Sequence, residues 1–261
     1  GDHTTLCSIP SSDIGKVSLV IKEQGILAGV DVAIKVFHKL DPQLKIDVLI
    51  KDGSSVKPKD VVFTVEGKVQ SILQAERLML NIMQRMSGVA TATNRYVALI
   101  EGTGAKVLDT RKTTPGMRML EKQAVRLGGG VNHRIGLFDM ILLKDNHIDF
   151  AGGIENAVRG AKRYLKEKNK SLKIEVEVRD IDELNEVLRA GGVDRVMLDN
   201  FTPAATKEAV QIVNGRVELE SSGGITSETI RSYAETGVDY ISVGALTHSV
   251  KGLDMSLIAT T

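Results

Sequence analysis

The chain has 261 residues, a formal net charge of +1, 42% hydrophobic and 26% charged residues, and a single cysteine, Cys7. Those proportions fit a globular protein able to bury one large α/β domain or two smaller ones, and they exclude an intrachain disulfide. Near neutrality, 3% aromatics and no Trp argue against nucleic-acid binding; with no signal peptide and no apolar run long enough for a bilayer, a cytoplasmic address away from membranes is expected.

Organisation changes near residue 102. Before it, β-rich runs at 17–22 and 61–66 flank a helical pattern at 32–40, in which Ile34, Phe37 and His38 recur about a turn apart. This predicts a small α+β unit. A long helical pattern follows, opening with Ser71 and Gln74 at capping-box spacing and carrying Leu78, Ile82 and Met86 on one stripe. An interruption is expected at Gly88 and a stop at Gly102.

From Ala105 onward, short apolar runs alternate with helical patterns, beginning at Lys106, Met140, Ile174, Arg195, Val217 and Tyr240. Strand–helix alternation means parallel strands, and about six repeats predict an incomplete parallel α/β barrel rather than an open sheet. The expected fold class is therefore α/β, with that barrel preceded by a smaller α+β open-sandwich domain. The expected divisions are 1–102, with the long connecting helix, 103–250 for the barrel, and 251–261 returning onto the first domain.

Each run ends in polar residues or a loop: Asp109-Thr-Arg-Lys, Lys144-Asp-Asn, Glu177, Asp199-Asn200, Glu220-Ser-Ser-Gly-Gly and Gly244-Ala-Leu-Thr. In a parallel barrel these ends share one mouth, where active sites are built. Segment 109–147 holds seven Lys and Arg against four acids, so its cations are locally concentrated. Segment 175–220 has the opposite bias, eleven acids against five bases. Most of those acids face water on helices, but Glu177 and Asp199 close strands, where carboxylates suit a hard divalent cation such as Mg²⁺ held mostly through water and substrate phosphates. Glu175 alternates with Ile174 and Val176; alternation alone favours a solvent-facing strand, whereas a parallel strand is normally apolar on both faces. Its role is left open. One Cys and no His pair at ligand spacing argue against structural zinc.

Ser222, Gly223 and Gly224 precede Thr226, a plausible N-cap for a helix running toward Glu235, so free backbone N–H groups there could hold phosphate. Gly244 follows the next strand, and barrels often bind phosphate at their last two strand–helix loops. For Gly128–Gly130, tight turns alone are an adequate explanation. P-loop and Rossmann motifs are absent: Gly67-Lys68 is followed by Val69, and Gly102-Thr-Gly104 lacks a third glycine.

Six ordered strings carry a family resemblance: Asp109-Thr-Arg-Lys-Thr-Thr-Pro-Gly, Gly128-Gly-Gly-Val-Asn-His-Arg, Leu143-Lys-Asp-Asn-His, Leu198-Asp-Asn, Glu220-Ser-Ser-Gly-Gly and Val243-Gly-Ala-Leu-Thr-His. Together they resemble the decarboxylating quinolinate phosphoribosyltransferases of NAD biosynthesis, over nearly the whole chain. The opening Gly1-Asp2-His3-Thr4-Thr5 is similar to a family motif that an N-terminal helical segment usually precedes, so such a segment is expected before it.

The resemblance implies transfer of phosphoribosyl from phosphoribosyl pyrophosphate to quinolinate with Mg²⁺, giving nicotinate mononucleotide, pyrophosphate and CO₂. It assigns Arg111, His133 and Arg134 to quinolinate, with Lys112 and Lys144 shared between quinolinate and phosphates. Glu177 and Asp199 would position ribose hydroxyls and metal, the latter through water, and Ser222, Gly223 and Gly244 would take the 5′-phosphate. Lys112, Lys144, Glu177 and Asp199 are the expected catalytic residues. A homodimer is implied, with Arg77 supplied by the neighbouring subunit.

Structural alternatives stand beside these roles. Glu76 and Arg77 fit an exposed helix face, His133 a satisfied core histidine, His147 still more so, and Arg118, Lys122 and Arg126 a mostly solvated helix face. Two functional rivals are a nicotinate phosphoribosyltransferase-like enzyme, whose substrate has one carboxylate, and a non-enzymatic phosphosugar-binding module.

Overall fold

The computed structural model describes residues 1–260. In chain order its elements are α1 (His3–Ser8), β1 (Ile14–Ile21), β2 (Gly25–Ile26), α2 (Val30–Leu40), β3 (Lys45–Val48), β4 (Ser55–Val56), β5 (Val61–Lys68) and α3 (Val69–Leu99). They continue with β6 (Lys106–Leu108), α4 (Arg118–Leu127), β7 (Ile141–Leu143), α5 (Asp145–Ala151), α6 (Ile154–Glu167), β8 (Ile174–Val178), α7 (Ile181–Ala190) and β9 (Arg195–Asp199). The last are α8 (Pro203–Val213), β10 (Glu218–Ser222), α9 (Ile230–Ala234), β11 (Tyr240–Ser242), α10 (Ala245–His248) and β12 (Met255–Ala259).

Two compact units emerge. The first gathers residues 1–94, 115–129 and 246–261, and the second 95–114 and 130–245. The chain therefore divides differently from the expected 1–102, 103–250 and 251–261: α4, inside the predicted barrel, belongs to the first unit.

In the first unit, an antiparallel sheet in the order β12-β1-β5-β3 packs its apolar face on helices. The return of the last residues is a strand, since β12 pairs with β1 from Val17↔Ala259 to Ile21↔Met255. Leu19, Ile21, Phe63 and Val65 from the sheet meet Phe37 of α2 and Ile72, Met79 and Met83 of α3, all nearly or fully buried. Phe37 and Phe63 touch edge-on with centroids 6.2 Å apart, a geometry favoured by the ring quadrupoles.

The long helix differs from expectation at both marked places. It begins at Val69, and Ser71 Oγ donates instead to Asp41 Oδ2 at 2.9 Å, so no capping box forms with Gln74. Gly88 does not interrupt it. A Cβ there would stand 3.1 Å from Gly252 Cα and nearer still to the Lys251 carbonyl oxygen, so the glycine lets another backbone approach the helix. α4 is fixed in the same unit by Arg85, whose Nε and Nη2 both donate to Glu121 Oε1. Lys122, expected on a solvated face, is buried.

The second unit is the predicted barrel. Its six strands are parallel in the order β6-β11-β10-β9-β8-β7. Ile174, Val176 and Val178 are buried, as a strand covered by helices requires. Beside β6, residue 131 adds one further parallel bridge, Leu108↔Val131. Two acids close strand starts: Asp194 accepts the Ile174 N–H at 2.7 Å and Asp239 the Leu219 N–H at 2.8 Å. Part of the acidic excess of 175–220 is therefore strand capping. Thr226 caps no helix; α9 begins only at Ile230, and the Thr226 N–H donates to Thr229 Oγ1 at 3.0 Å.

Candidate active site

The C-terminal ends of the barrel strands deliver most of the predicted residues from one unit. β6 leads into Asp109 and the exposed pair Arg111 and Lys112, β7 into Lys144, β8 into Glu177, β9 into Asp199, and β10 into Ser222 and Gly223. Parallel strands that all run the same way place these residues at one mouth.

The His133–Arg134 segment is held there by backbone bonds. Val131 N–H donates to the Val107 carbonyl at 2.8 Å, and Asp109 N–H to the Val131 carbonyl at 3.2 Å. His133 N–H then donates at 2.9 Å to Oδ1 of the fully buried Asp109 carboxylate. The segment thus runs as a short extra strand along β6 and ends in two buried cationic-type side chains.

Arg134 is 9% exposed. Its Nη1 donates to the Met140 carbonyl at 3.2 Å, while its buried Nε has no hydrogen-bond partner. Burial and then the nearby Arg111 charge hold the Arg134 pKa below the ordinary guanidinium range. Two neighbouring guanidiniums, one of them largely desolvated, are an arrangement that an anion completes.

After β7, Lys144 Nζ forms an ion pair with Glu177 Oε2, which brings together two of the expected catalytic residues. Asp199 Oδ2 accepts from the Asn200 side-chain amide at 2.7 Å. The next loop packs onto this one. Asn200 N–H donates to the Ser222 carbonyl at 2.9 Å, and Gly223 has φ +96°. Gly224 is also left-handed, at φ +59°. Consecutive backbone groups in such conformations form a concave set of N–H donors suited to phosphate.

Below the mouth the barrel interior is charged. Arg195 donates to Glu218 Oε2 from Nε at 3.3 Å and Nη2 at 3.2 Å, and to Glu220 Oε2 from Nη1 at 3.1 Å. Its guanidinium carbon lies 4.0 Å from the Tyr240 ring centroid. His133 Nε2 stands 3.0 Å from Glu175 Oε2 and 3.5 Å from Glu220 Oε2. Glu175 and Glu220 are both 0% exposed, so Glu175 is no solvent-facing strand residue. Burial, then the Glu175 charge, pushes the Glu220 pKa up to about 8, and burial also raises that of Glu175. Both carboxyls are therefore shifted toward their protonated forms.

Arg195 was missed in the sequence as a site element. The available signal was period-two charge on three adjacent strands: Glu175 and Glu177, Arg195 and Asp199, Glu218 and Glu220. His147 is not a core histidine; it is exposed, and its Nδ1 accepts the Lys144 N–H at 3.1 Å at the start of α5. Arg118 is half-buried and Arg126 exposed. Arg77 lies in the first unit on α3 and is exposed, as is Leu78 beside it.

A parallel barrel whose mouth sets guanidiniums against carboxylates beside a left-handed glycine turn defines a class of proteins built for anionic, phosphate-bearing ligands. Comparison with known proteins narrows the class. The quinolinate phosphoribosyl transferase N-terminal domain matches residues 2–87 and the corresponding C-terminal domain residues 89–258. The chain belongs to the quinolinate phosphoribosyl transferase family. It is 45% identical to the chloroplastic nicotinate-nucleotide pyrophosphorylase [carboxylating] of Arabidopsis thaliana, covering 98% of this chain and 77% of that one. It is 44% identical to the nicotinate-nucleotide pyrophosphorylase [carboxylating] of Mycobacterium leprae, covering 98% and 90%. Among solved structures, the nicotinate-nucleotide pyrophosphorylase from Francisella tularensis matches with a TM-score of 0.93 at 46% identity, covering 100% and 90%.

Proposed function

We propose that this chain transfers phosphoribosyl from phosphoribosyl pyrophosphate to quinolinate and releases CO₂, forming nicotinate mononucleotide and pyrophosphate. The observation that carries this reading is Arg134, nine-tenths buried, with an unpartnered Nε and with Arg111 close enough to depress its pKa. A dicarboxylate supplies what that arrangement lacks, and Arg binds carboxylates through paired N–H donors. Family membership and the names of the relatives support the same substrate.

Residue roles are those the family resemblance implies, His133 excepted. Arg111 and Arg134 form the acceptor end, backed by the buried His133, whose two ring nitrogens face the Arg134 amide and the Glu175 and Glu220 carboxyls rather than substrate, with Lys112 and Lys144 between that end and the phosphates. Glu177 and Asp199 face the ribose, and the Ser222–Gly223 turn with Gly244 receives the 5′-phosphate. The oxygen donors of Glu177 and Asp199 also fit Mg²⁺, a hard cation that when bound would neutralise charge on the pyrophosphate.

The chemistry asks little of a protein base. The pyridine nitrogen lone pair forms the new bond to the ribose carbon as the bond to pyrophosphate breaks, with the leaving electrons carried off on the pyrophosphate oxygen. Lys112 and Lys144 stabilise that developing charge. The pyridinium then accepts the electron pair of the adjacent carbon–carboxylate bond as CO₂ departs, and the ring carbon takes a proton.

A homodimer, with Arg77 of one copy completing its neighbour's acceptor end, accords with the exposure of Arg77 and Leu78 on α3. The lone exposed Cys7 suits a reducing compartment such as the cytoplasm. No described helix is long and apolar enough to cross a membrane.

The deciding experiment offers the protein phosphoribosyl pyrophosphate and Mg²⁺ with either quinolinate or nicotinate, following CO₂ and mononucleotide. Turnover of quinolinate with little of nicotinate is expected. Equal rates, or turnover of neither acid, would overturn the reading.

A further inference from the structure

The buried cluster beneath the mouth is larger than substrate contact requires. His133, Glu175 and Glu220 each offer one ligand atom within 4.8 Å of the others, the spacing of a cation site. The imidazole argues against a cation. Arg134 N–H donates to His133 Nδ1 at 2.7 Å, so Nδ1 is an acceptor and the ring proton resides on Nε2, facing the two carboxyls. A metal on Nε2 would move that proton to Nδ1, against another donor, whereas a ligating histidine needs an acceptor at its second nitrogen.

The same geometry gives the cluster another role. We propose that Glu175 and Glu220 are positioning residues for the acceptor end: they hold the His133 ring between β8 and β10 and thereby fix the backbone that presents the Arg134 guanidinium. The inference rests on the reading of Arg134 as a quinolinate ligand.

The links to the two carboxyls are close approaches of charged-type groups, and the link to Arg134 is a hydrogen bond. The ring faces Glu175 at 3.0 Å and Glu220 at 3.5 Å on one side and receives the Arg134 amide on the other. His133 N–H is tied separately to Asp109, so the peptide between His133 and Arg134 is restrained from β6 and from the barrel interior together. Arg195 holds Glu220 in place and is itself held by Glu218 and the Tyr240 ring. The path from Tyr240 to Arg134 is therefore continuous, and it is buried from Arg195 inward. A guanidinium displaced by 1 Å loses its bidentate grip on a carboxylate, so a support of this kind acts on acceptor affinity more than on overall stability.

The test compares Glu175→Ala and Glu220→Ala with Glu175→Gln and Glu220→Gln, whose amide oxygens can still accept from His133 Nε2. Steady-state kinetics should show the KM for quinolinate raised about tenfold or more in the Ala variants, and that for phosphoribosyl pyrophosphate changed by less than about twofold. The Gln variants should recover most of the loss. Affinities for both substrates falling together, or Ala variants with unchanged quinolinate KM, would overturn the inference while leaving the activity intact. A wild-type protein inactive on quinolinate would overturn the underlying activity as well. If the Ala variants do not fold, the ¹⁵N spectrum of His133 in the wild-type protein decides: an Nε2-protonated ring upholds the inference and an Nδ1-protonated ring refutes it.

Discussion

A Cβ on Gly223 would stand 2.8 Å from the Asn200 backbone nitrogen and closer still to the Asn200 side-chain oxygen. The glycine at φ +96° is therefore fixed by two constraints, a left-handed backbone and a loop from the neighbouring strand pressed against it. Gly224, at φ +59°, has only the first, because nothing lies within 4 Å of its added Cβ.

Gly223→Ala should thus destabilise the protein by about 1–3 kcal/mol, more than Gly224→Ala. It should also weaken phosphoribosyl pyrophosphate binding more than quinolinate binding. Thermal unfolding paired with calorimetric titration measures both. Equal effects of the two substitutions would show that the Asn200 contact is irrelevant.

The acceptor and donor ends of the site should separate by mutation. Arg134→Ala removes a buried guanidinium and should weaken quinolinate binding by roughly 2–5 kcal/mol, the usual cost of truncating one partner of a buried charge pair. Phosphoribosyl pyrophosphate affinity should stay near its original value. Glu177→Ala should do the reverse, because it strips Lys144 of its partner at the donor end and removes an oxygen donor from the proposed Mg²⁺ position. Titrations that find both variants defective for the same ligand would refute this division.

The extent to which the sequence disclosed this arrangement follows from what each signal measures. All six barrel strands were legible because short apolar runs bounded by helical patterns have one economical folding solution, and the mouth was legible because their polar ends then coincide. Local signals failed where tertiary contacts decide. Gly88 reads as a helix breaker until the backbone at Gly252 is placed beside it, and Ser71 reads as a cap until Asp41 arrives to accept its hydroxyl. The Glu175–Arg195 layer is written as alternation on three strands, but only their register reveals that Glu175 and Glu218 both stand beside Arg195. The tautomer of His133 depends on a 2.7 Å contact with the next residue's amide, which no spacing encodes.

Glu220 sets a pH dependence of stability. It is surrounded by His133 from the mouth segment, Glu175 of β8, Arg195 of β9 and Ser242 of β11, and its pKa rises to about 8 from an ordinary 4.5. A carboxyl with a raised folded-state pKa keeps its proton where the unfolded chain has lost it. Its contribution to stability is therefore greatest below about pH 4.5, declines through the interval up to about pH 8, and is constant above. Glu220→Gln, which cannot ionise, should flatten that decline, and denaturant unfolding between pH 5 and about 8 would reveal it. A wild-type slope identical to the variant's would show that Glu220 does not hold its proton.

The last prediction concerns Arg77. If the site is shared across a two-fold interface, Arg77→Ala and Arg134→Ala should each be nearly inactive alone, since every site in either homodimer then lacks one guanidinium. Unfolding the two variants, mixing them in equal amounts and refolding creates heterodimers. In a heterodimer one site carries both lesions, whereas the other joins an intact Arg134 to an intact Arg77 from across the interface. Random pairing makes half the dimers heterodimers with one good site in two, so activity should return to about a quarter of wild type. Were Arg77 to serve its own chain, every site would contain one lesion however the chains paired. Mixtures no more active than the separate variants, with heterodimers verified by mass, would rule out the shared site.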